Sequence, residues 1–303
     1  MNITDIIKEA FVFPSKNLGP LAIYTILTLV IAFFSVGGLI YATLVGDIIK
    51  AILGVIIFII SIIAEFILMG YQIKLVKTGI DSTEASPEFE WKDDCVTGIK
   101  YLVLKIVYGI IPLIITIIMG LVTNIPGNVS AILEQITTSL SQQTGSTAIN
   151  ALVNMNSTNS TEYMNALSTL NATNSTNVMP TITVSNTLIS NLETSLAITA
   201  VVSIIVFLIF EILKLIAEGR LANTGSIGNA LNMPQVFKEM GEIGYGKVIG
   251  LYILILIIIL IINLIFGIIT GYLPMLCIIS IILSPYLIFF IKRATGLLYS
   301  EIA

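Results

Sequence analysis

The sequence predicts an all-α integral membrane bundle of six transmembrane helices in three pseudo-repeated hairpins, with a large outer insertion between helices 3 and 4. Three observations predict this class: the composition, six apolar runs, and a phrase that recurs at the end of alternate runs. Of the 303 residues, 56% are hydrophobic and 11% charged, and the mean hydropathy is +1.01. A soluble domain of this length would leave too much apolar surface against water.

The first nineteen residues carry Asp5, Lys8, Glu9 and Lys16 and lack an uninterrupted apolar core. They are read as a short amphipathic segment lying on the membrane surface through Ile3, Ile6, Ile7, Ala10 and Phe11. The first span then acts as the insertion signal, with no cleavable leader. A transmembrane helix needs about 20 mostly apolar residues. Six runs meet that length: roughly 20–45, 51–72, 101–122, 196–216, 248–270 and 272–291. They divide the chain into a membrane part at 1–122, an insertion at 123–195 and a second membrane part at 196–303. Pro112, Pro274 and Pro285 are expected to kink their helices.

Lysine and arginine set the orientation. With the N-terminus in the cytoplasm, every cation except Lys50 falls on the inner side, and the stretch from Thr123 to Ser195 holds none. Both termini are therefore expected inside, with 123–195 outside the cell membrane. This stretch is rich in Asn, Ser and Thr, as in "NMNSTNSTEYMNALSTLNATNST". It offers Asn-x-Ser/Thr glycosylation acceptors at Asn128, Asn156, Asn159, Asn171 and Asn174. Chance is the competing explanation in so biased a tract. Apolar spacing at Ile132, Ile136 and Leu140, and again at Ile149, Leu152 and Val153, predicts short amphipathic helices. The polar composition around 154–178 equally fits disorder.

"LVKTGI" at Leu75–Ile80 returns as "LANTGSI" at Leu221–Ile227 and as "KRATGLL" at Lys292–Leu298. Each copy ends a helix that runs inward, and each has cations close by: Lys74 and Lys77, Arg220, then Lys292 and Arg293. Cations suit the negative end of a helix dipole. Thr78–Gly79, Thr224–Gly225 and Thr295–Gly296 are read as helix stops in which glycine takes the left-handed conformation. An apolar residue (Ile80, Ile227, Leu297) follows each one.

Longer stretches repeat too. "SPEFEWKDDCVTGIKYLVL" and "MPQVFKEMGEIGYGKVIGL" each run from proline and an aromatic through acids to glycine and lysine before an ascending helix. "FVFPSKNLGPLAIY" is a looser third version. Such same-sense repeats occur in transporter-like bundles. Phe89 and Trp91 of this loop are read as interfacial anchors, beside Pro87, Asp93, Asp94 and Gly98. The loop, like the outer tract, is a place where partner proteins could dock.

Glu65 and Glu211 stand at the same distance upstream of their Thr-Gly, whereas the third copy has Ile282 there. A carboxylate in hydrocarbon costs a few kcal/mol, so it faces the bundle interior and has a partner or a function. One reading makes these two a cation- or proton-handling pair. The other pairs Glu211 with Lys214 one turn on, and leaves Glu65 protonated or meeting Lys105. Asn263 is expected to form a helix-to-helix hydrogen bond.

Enzyme chemistry finds little support. Without histidine there is no Ser-His pair, no HExxH zinc site and no imidazole base. The aspartates fall in loops or at helix ends rather than as an intramembrane pair, and no basic patch fits nucleic acid. Cys95 and Cys277 are expected at different depths and unpaired. No metal and no cofactor is expected.

The stretch "GYQIKLVKTGI…SPEFEWKDDCVTGIKYLVLKIVYGIIP" resembles the archaeal and bacterial membrane family catalogued as domain of unknown function 4013. The resemblance is carried by Gly70, Tyr71, Pro87, Glu88, Trp91, Asp93, Asp94, Gly98 and Lys100. The ending "SPYLIFFIKRATGLLYSE" is similar to that family's ending, and only 123–195 finds no counterpart. The resemblance implies a multi-pass membrane protein without an assigned reaction. The function expected is that of a non-catalytic membrane component, with a small-solute or ion carrier as the alternative.

Overall fold

The computed structural model describes residues 1–44, 48–154, 184–273 and 277–303. The described residues are overwhelmingly helical and contain no strand. In chain order the helices are α1 (Ile3–Lys16), α2 (Leu18–Leu44), α3 (Ile48–Ile80), α4 (Trp91–Val122) and α5 (Ile125–Asn154). After these come α6 (Asn186–Thr224), α7 (Ile227–Ala230), α8 (Met233–Ile243), α9 (Tyr245–Tyr272) and α10 (Cys277–Tyr299). Six of them, α2, α3, α4, α6, α9 and α10, are long and apolar enough to cross a membrane. Several exceed the expected spans. α3, for example, reaches Ile80 rather than stopping near residue 72, because "GYQIKLVKTGI" contains no breaker that outweighs its burial.

The chain divides into two compact units, Met1–Ile111 with Phe207–Ala303, and Pro112–Val206. In the first unit α10 is the central helix. Its most apolar stretch is 61% buried, against 11–22% in the other five spanning helices. Those five therefore turn most of their apolar surface outward, as helices solvated by lipid do. Burial concentrates toward the cation-bearing helix ends. Two apolar clusters form there, one with Ile73, Leu104, Ile216, Val236, Leu251 and Phe290, the other with Tyr24, Tyr71 and Phe289.

α1 is amphipathic as expected, but Ile6 and Ala10 of the expected stripe are buried on protein rather than on the membrane surface, with Ile3 and Ile7 packed beside them and Phe13 buried as well. Phe11 lies edge-on to Tyr286 and Phe290, with ring centroids 5.6 and 5.8 Å away. α8 begins at Asn232, whose side chain accepts from the Gln235 amide, with Pro234 in the first turn. It ends at Gly244, where φ of +103° needs glycine.

Only one of the three Thr-Gly phrases is the cap it was read as. Gly225 has φ +64° and ends α6. Gly79 and Gly296 instead lie inside α3 and α10, where a Cβ on either would come within 2.7 Å of the other's Cα. They are crossing residues rather than caps: each is pressed by the partner helix, and the left-handed turn that ends α3 falls on Ser82, at φ +54°, rather than on Gly79. A second tight crossing joins α3 to α4. A Cβ on Gly98 would sit 1.7 Å from the Phe66 carbonyl oxygen, and one on Gly70 would sit 1.8 Å from that of Asp94.

In the unit 112–206, α5 is one continuous helix where two short ones were expected, since no proline follows Pro126 to interrupt it. Asn124, at φ +58°, makes the turn between α4 and α5. Asn128 donates through its amide to Ser195 Oγ at 2.8 Å, and Ser195 donates to the Thr123 carbonyl at 2.7 Å. The amide of this acceptor is thus engaged within a helix. Asn156, Asn159, Asn171, Asn174 and the tract read as disordered lie outside the described residues.

Candidate functional site

The polar residues of unit 1 converge at the cation-bearing helix ends, and α6 organises them. Residues 211, 214 and 218 follow the three-to-four spacing that places side chains on one helix face, and Arg220 points away from it. Glu218 is buried between α4 and α10. One of its oxygens accepts from the Tyr101 hydroxyl at 2.7 Å, and the other pairs with the Lys292 ammonium at 2.6 Å. Lys292 also donates to the Tyr101 oxygen at 2.6 Å, closing a triangle. A buried acid and base this well matched offset much of their lost hydration through each other and the added hydrogen bonds.

On the opposite face, Arg220 pairs with Glu239 of α8 and donates from Nε to the Asn229 carbonyl at 3.0 Å. The Tyr299 hydroxyl donates to the second Glu239 oxygen at 3.0 Å. Gly219 lies against the Tyr299 ring, where a Cβ would come within 2.4 Å of ring atoms. Glycine here lets α6 and α10 approach closely enough for the Glu218–Lys292 pair to form.

Two further charge clusters hold the same end. Arg293, 2% exposed, donates to the Thr78 and Thr83 carbonyls at 2.7 and 2.6 Å and to Glu9 at 2.5 Å. Its guanidinium lies 4.6 Å from the centre of the Phe13 ring. Lys74 meets Asp94 at 2.8 Å and Glu90 at 2.7 Å. The second Asp94 oxygen accepts the Glu90 amide at 2.8 Å, which fixes the start of α4. The hydrogen bond and charge from Lys74 hold the exposed Glu90 carboxyl below its usual pKa.

The interfacial loop is tied to this framework. Tyr71 donates to the Pro87 carbonyl at 3.1 Å and stacks on Phe89 with centroids 4.0 Å apart. Trp91 follows at 6.2 Å from Phe89 and stays exposed, as does Asp93. Phe89 thus packs on protein, which leaves Trp91 as the outward aromatic of the pair.

The sequence-predicted intramembrane group is only partly assembled. Glu211 pairs with Lys214 at 2.5 Å, the local pairing weighed against a functional role. Lys105 does not meet Glu65, because its amine turns over the Tyr101 ring at 4.4 Å. Glu65 is half-buried and makes no hydrogen bond or ion pair among the described residues. Asn263 donates to Ile259 of its own helix at 2.8 Å instead of bridging two helices. Thr78, Thr224 and Thr295 likewise bond back to their own helices.

Glu218 and Glu239 were missed by sequence reasoning, because their counter-charges Lys292 and Arg220 lie on other helices. The one available signal was spacing, since Glu218 shares a helix face with Glu211 and Lys214.

Three larger cavities accompany this framework. One of about 390 Å³ lies beside α1 and includes Glu9 and Arg293. An apolar one of about 300 Å³ lies between α2 and α3. The third, of about 490 Å³, lies between α9 and α10. Neither Glu65 nor Glu211 lines any of these.

Comparison with known proteins places residues 52–275 in a family described as Protein of unknown function (DUF4013). The match runs through the 123–195 insertion and stops short of the similar-looking ending. No curated protein and no solved structure matches. With well over half of its length inside the family's bounds and six helices fit to cross a membrane, the chain belongs to the DUF4013 family.

Proposed function

We propose that this chain is a non-catalytic, multi-pass component of the cell membrane that organises lipid or partner proteins. One observation carries the reading. Of the acids that could have moved a proton or an ion, two are engaged internally, Glu218 on Lys292 and Tyr101 and Glu211 on Lys214. Groups locked in charge-balanced contacts stabilise helix packing better than they relay a solute. Both termini are assigned to the cytoplasm and 123–195 to the outside, by the side on which the lysines and arginines gather.

The test is flux. In sealed vesicles the wild-type chain should pass protons and monovalent ions no faster than protein-free vesicles. Glu65→Gln and Glu211→Gln should leave that background unchanged. A carrier reading is favoured by Glu65 alone, half-buried and unpaired among the described residues. Flux above background that Glu65→Gln abolishes would establish the carrier instead.

A further inference from the structure

The cavity between α9 and α10 has a volume of about 490 Å³ and contains two polar side chains, Asn263 and Ser284. The rest of its lining is apolar, with Ile259, Phe266, Leu287 and Ile291 among it, and no ionisable residue borders it. Asn263 lies well inside the uncharged run between Lys247 and Tyr272. Its amide nitrogen is engaged by the Ile259 carbonyl. Its own oxygen accepts from no group among the described residues, and the Ser284 hydroxyl is likewise without a partner there. Both side chains are exposed where this groove opens, and two unmatched polar groups at hydrocarbon depth are costly unless something in the groove satisfies them.

We propose that this cavity binds an uncharged lipid alcohol, with its hydroxyl between Asn263 and Ser284 and its chain along the apolar lining. A single hydroxyl donates to the Asn263 oxygen and accepts from Ser284, which satisfies both groups with one ligand atom. The volume falls within the roughly 300–1,000 Å³ typical of small-ligand sites. A phospholipid headgroup would bring a phosphate into a lining without a cation. A bare hydrocarbon chain would leave both polar groups unpaired. Water would meet only two polar side chains here, Asn263 and Ser284, the bottom of the about 2–4 partners it needs, and would leave the apolar lining unfilled.

The assignment rests on the reading of the chain as a non-transporting component that engages lipid. Its test is separate from the flux assay, so either can fail alone. Tritiated geranylgeraniol is bound to the purified chain in detergent and read by scintillation proximity. Saturable binding is expected, weakened about fivefold by Asn263→Leu and about fivefold by Ser284→Ala, one hydrogen bond each. The methyl ether of the probe, which accepts but cannot donate, should compete about fivefold less well, and phosphatidylglycerol should not compete. Ile259→Trp, which fills the cavity, should abolish binding while the melting temperature holds.

Binding that is non-saturable, indifferent to all three substitutions, or equally displaced by phosphatidylglycerol overturns the assignment. So does a shift from dimer to monomer on Asn263→Leu, which would give the cavity to a second copy of the chain.

Discussion

Gly79 and Gly296 face each other where α3 crosses α10, each so close that a Cβ would lie within 2.7 Å of the other's Cα. A Cβ on Gly296 would also lie 2.0 Å from the Val76 carbonyl oxygen, which is backbone and cannot swing aside. Gly296→Ala therefore forces the two helices apart, at about 1–3 kcal/mol. Gly225→Ala meets nothing within 4 Å and costs only the left-handed conformation, about 1–2 kcal/mol. Gly109→Ala, mid-helix and in open space, should stabilise slightly. Thermal melting in detergent should rank the three in that order, and equal melting of Gly296→Ala and wild type would remove the crossing from the account.

The buried triangle of Tyr101, Glu218 and Lys292 makes an asymmetric prediction. Lys292→Met alone leaves the Glu218 carboxylate without its counter-charge and should cost about 3–5 kcal/mol. Replacing all three as Tyr101→Phe, Glu218→Leu and Lys292→Met removes every orphaned polar atom and should recover most of that loss. A triple variant no more stable than Lys292→Met would mean that the charges matter for more than mutual neutralisation. Denaturant titration of both variants checks this.

Much of the architecture could be read from the chain alone, because lipid imposes a length and an apolar composition that leave few alternatives. The uncharged run of α9 is a case in point. The local Glu211–Lys214 pair was also readable, since one helical turn links the two. What could not be read depended on distant partners. A glycine after a helix-end cation fits a cap or a crossing equally well. Gly225 became one and Gly79 the other, because only Gly79 has a second helix against it. Glu218 could not be singled out, because its partner Lys292 is brought to it from another helix. The α1 stripe was visible, but a stripe does not say whether lipid or protein covers it.

Arg293 ties three elements that a lysine could not. Its fork reaches the Thr78 carbonyl within α3, the Thr83 carbonyl in the loop that follows, and Glu9 on α1. Lysine keeps the charge but presents a compact ammonium without that geometry. Arg293→Lys should cost about 1–3 kcal/mol through the acceptors left unpaired. Hydrogen exchange should quicken in Ile3–Lys16 and leave the middle of α9 unchanged. Unaltered exchange in α1 would show that Phe13 and Ile6 hold that helix by packing alone.

Glu301 lies outside the spanning helices and accepts from Lys247, at the start of α9, and from the Met1 ammonium. Burial by itself would raise its pKa, yet these hydrogen bonds and charges outweigh burial and hold it below the ordinary value. A depressed folded-state pKa adds stability that is fully present above the unfolded value, about 4.3 for glutamate, and is lost as pH falls through the folded one. Because the group is largely exposed, the effect is small, on the order of one degree in melting temperature. Glu301→Gln should therefore melt slightly below wild type at pH 7, and the two curves should converge as pH drops from about 5 toward 3. Raising salt should narrow the pH 7 difference by screening the same charges. A gap that persists at pH 3 would assign the effect to packing around Glu301 rather than to its charge.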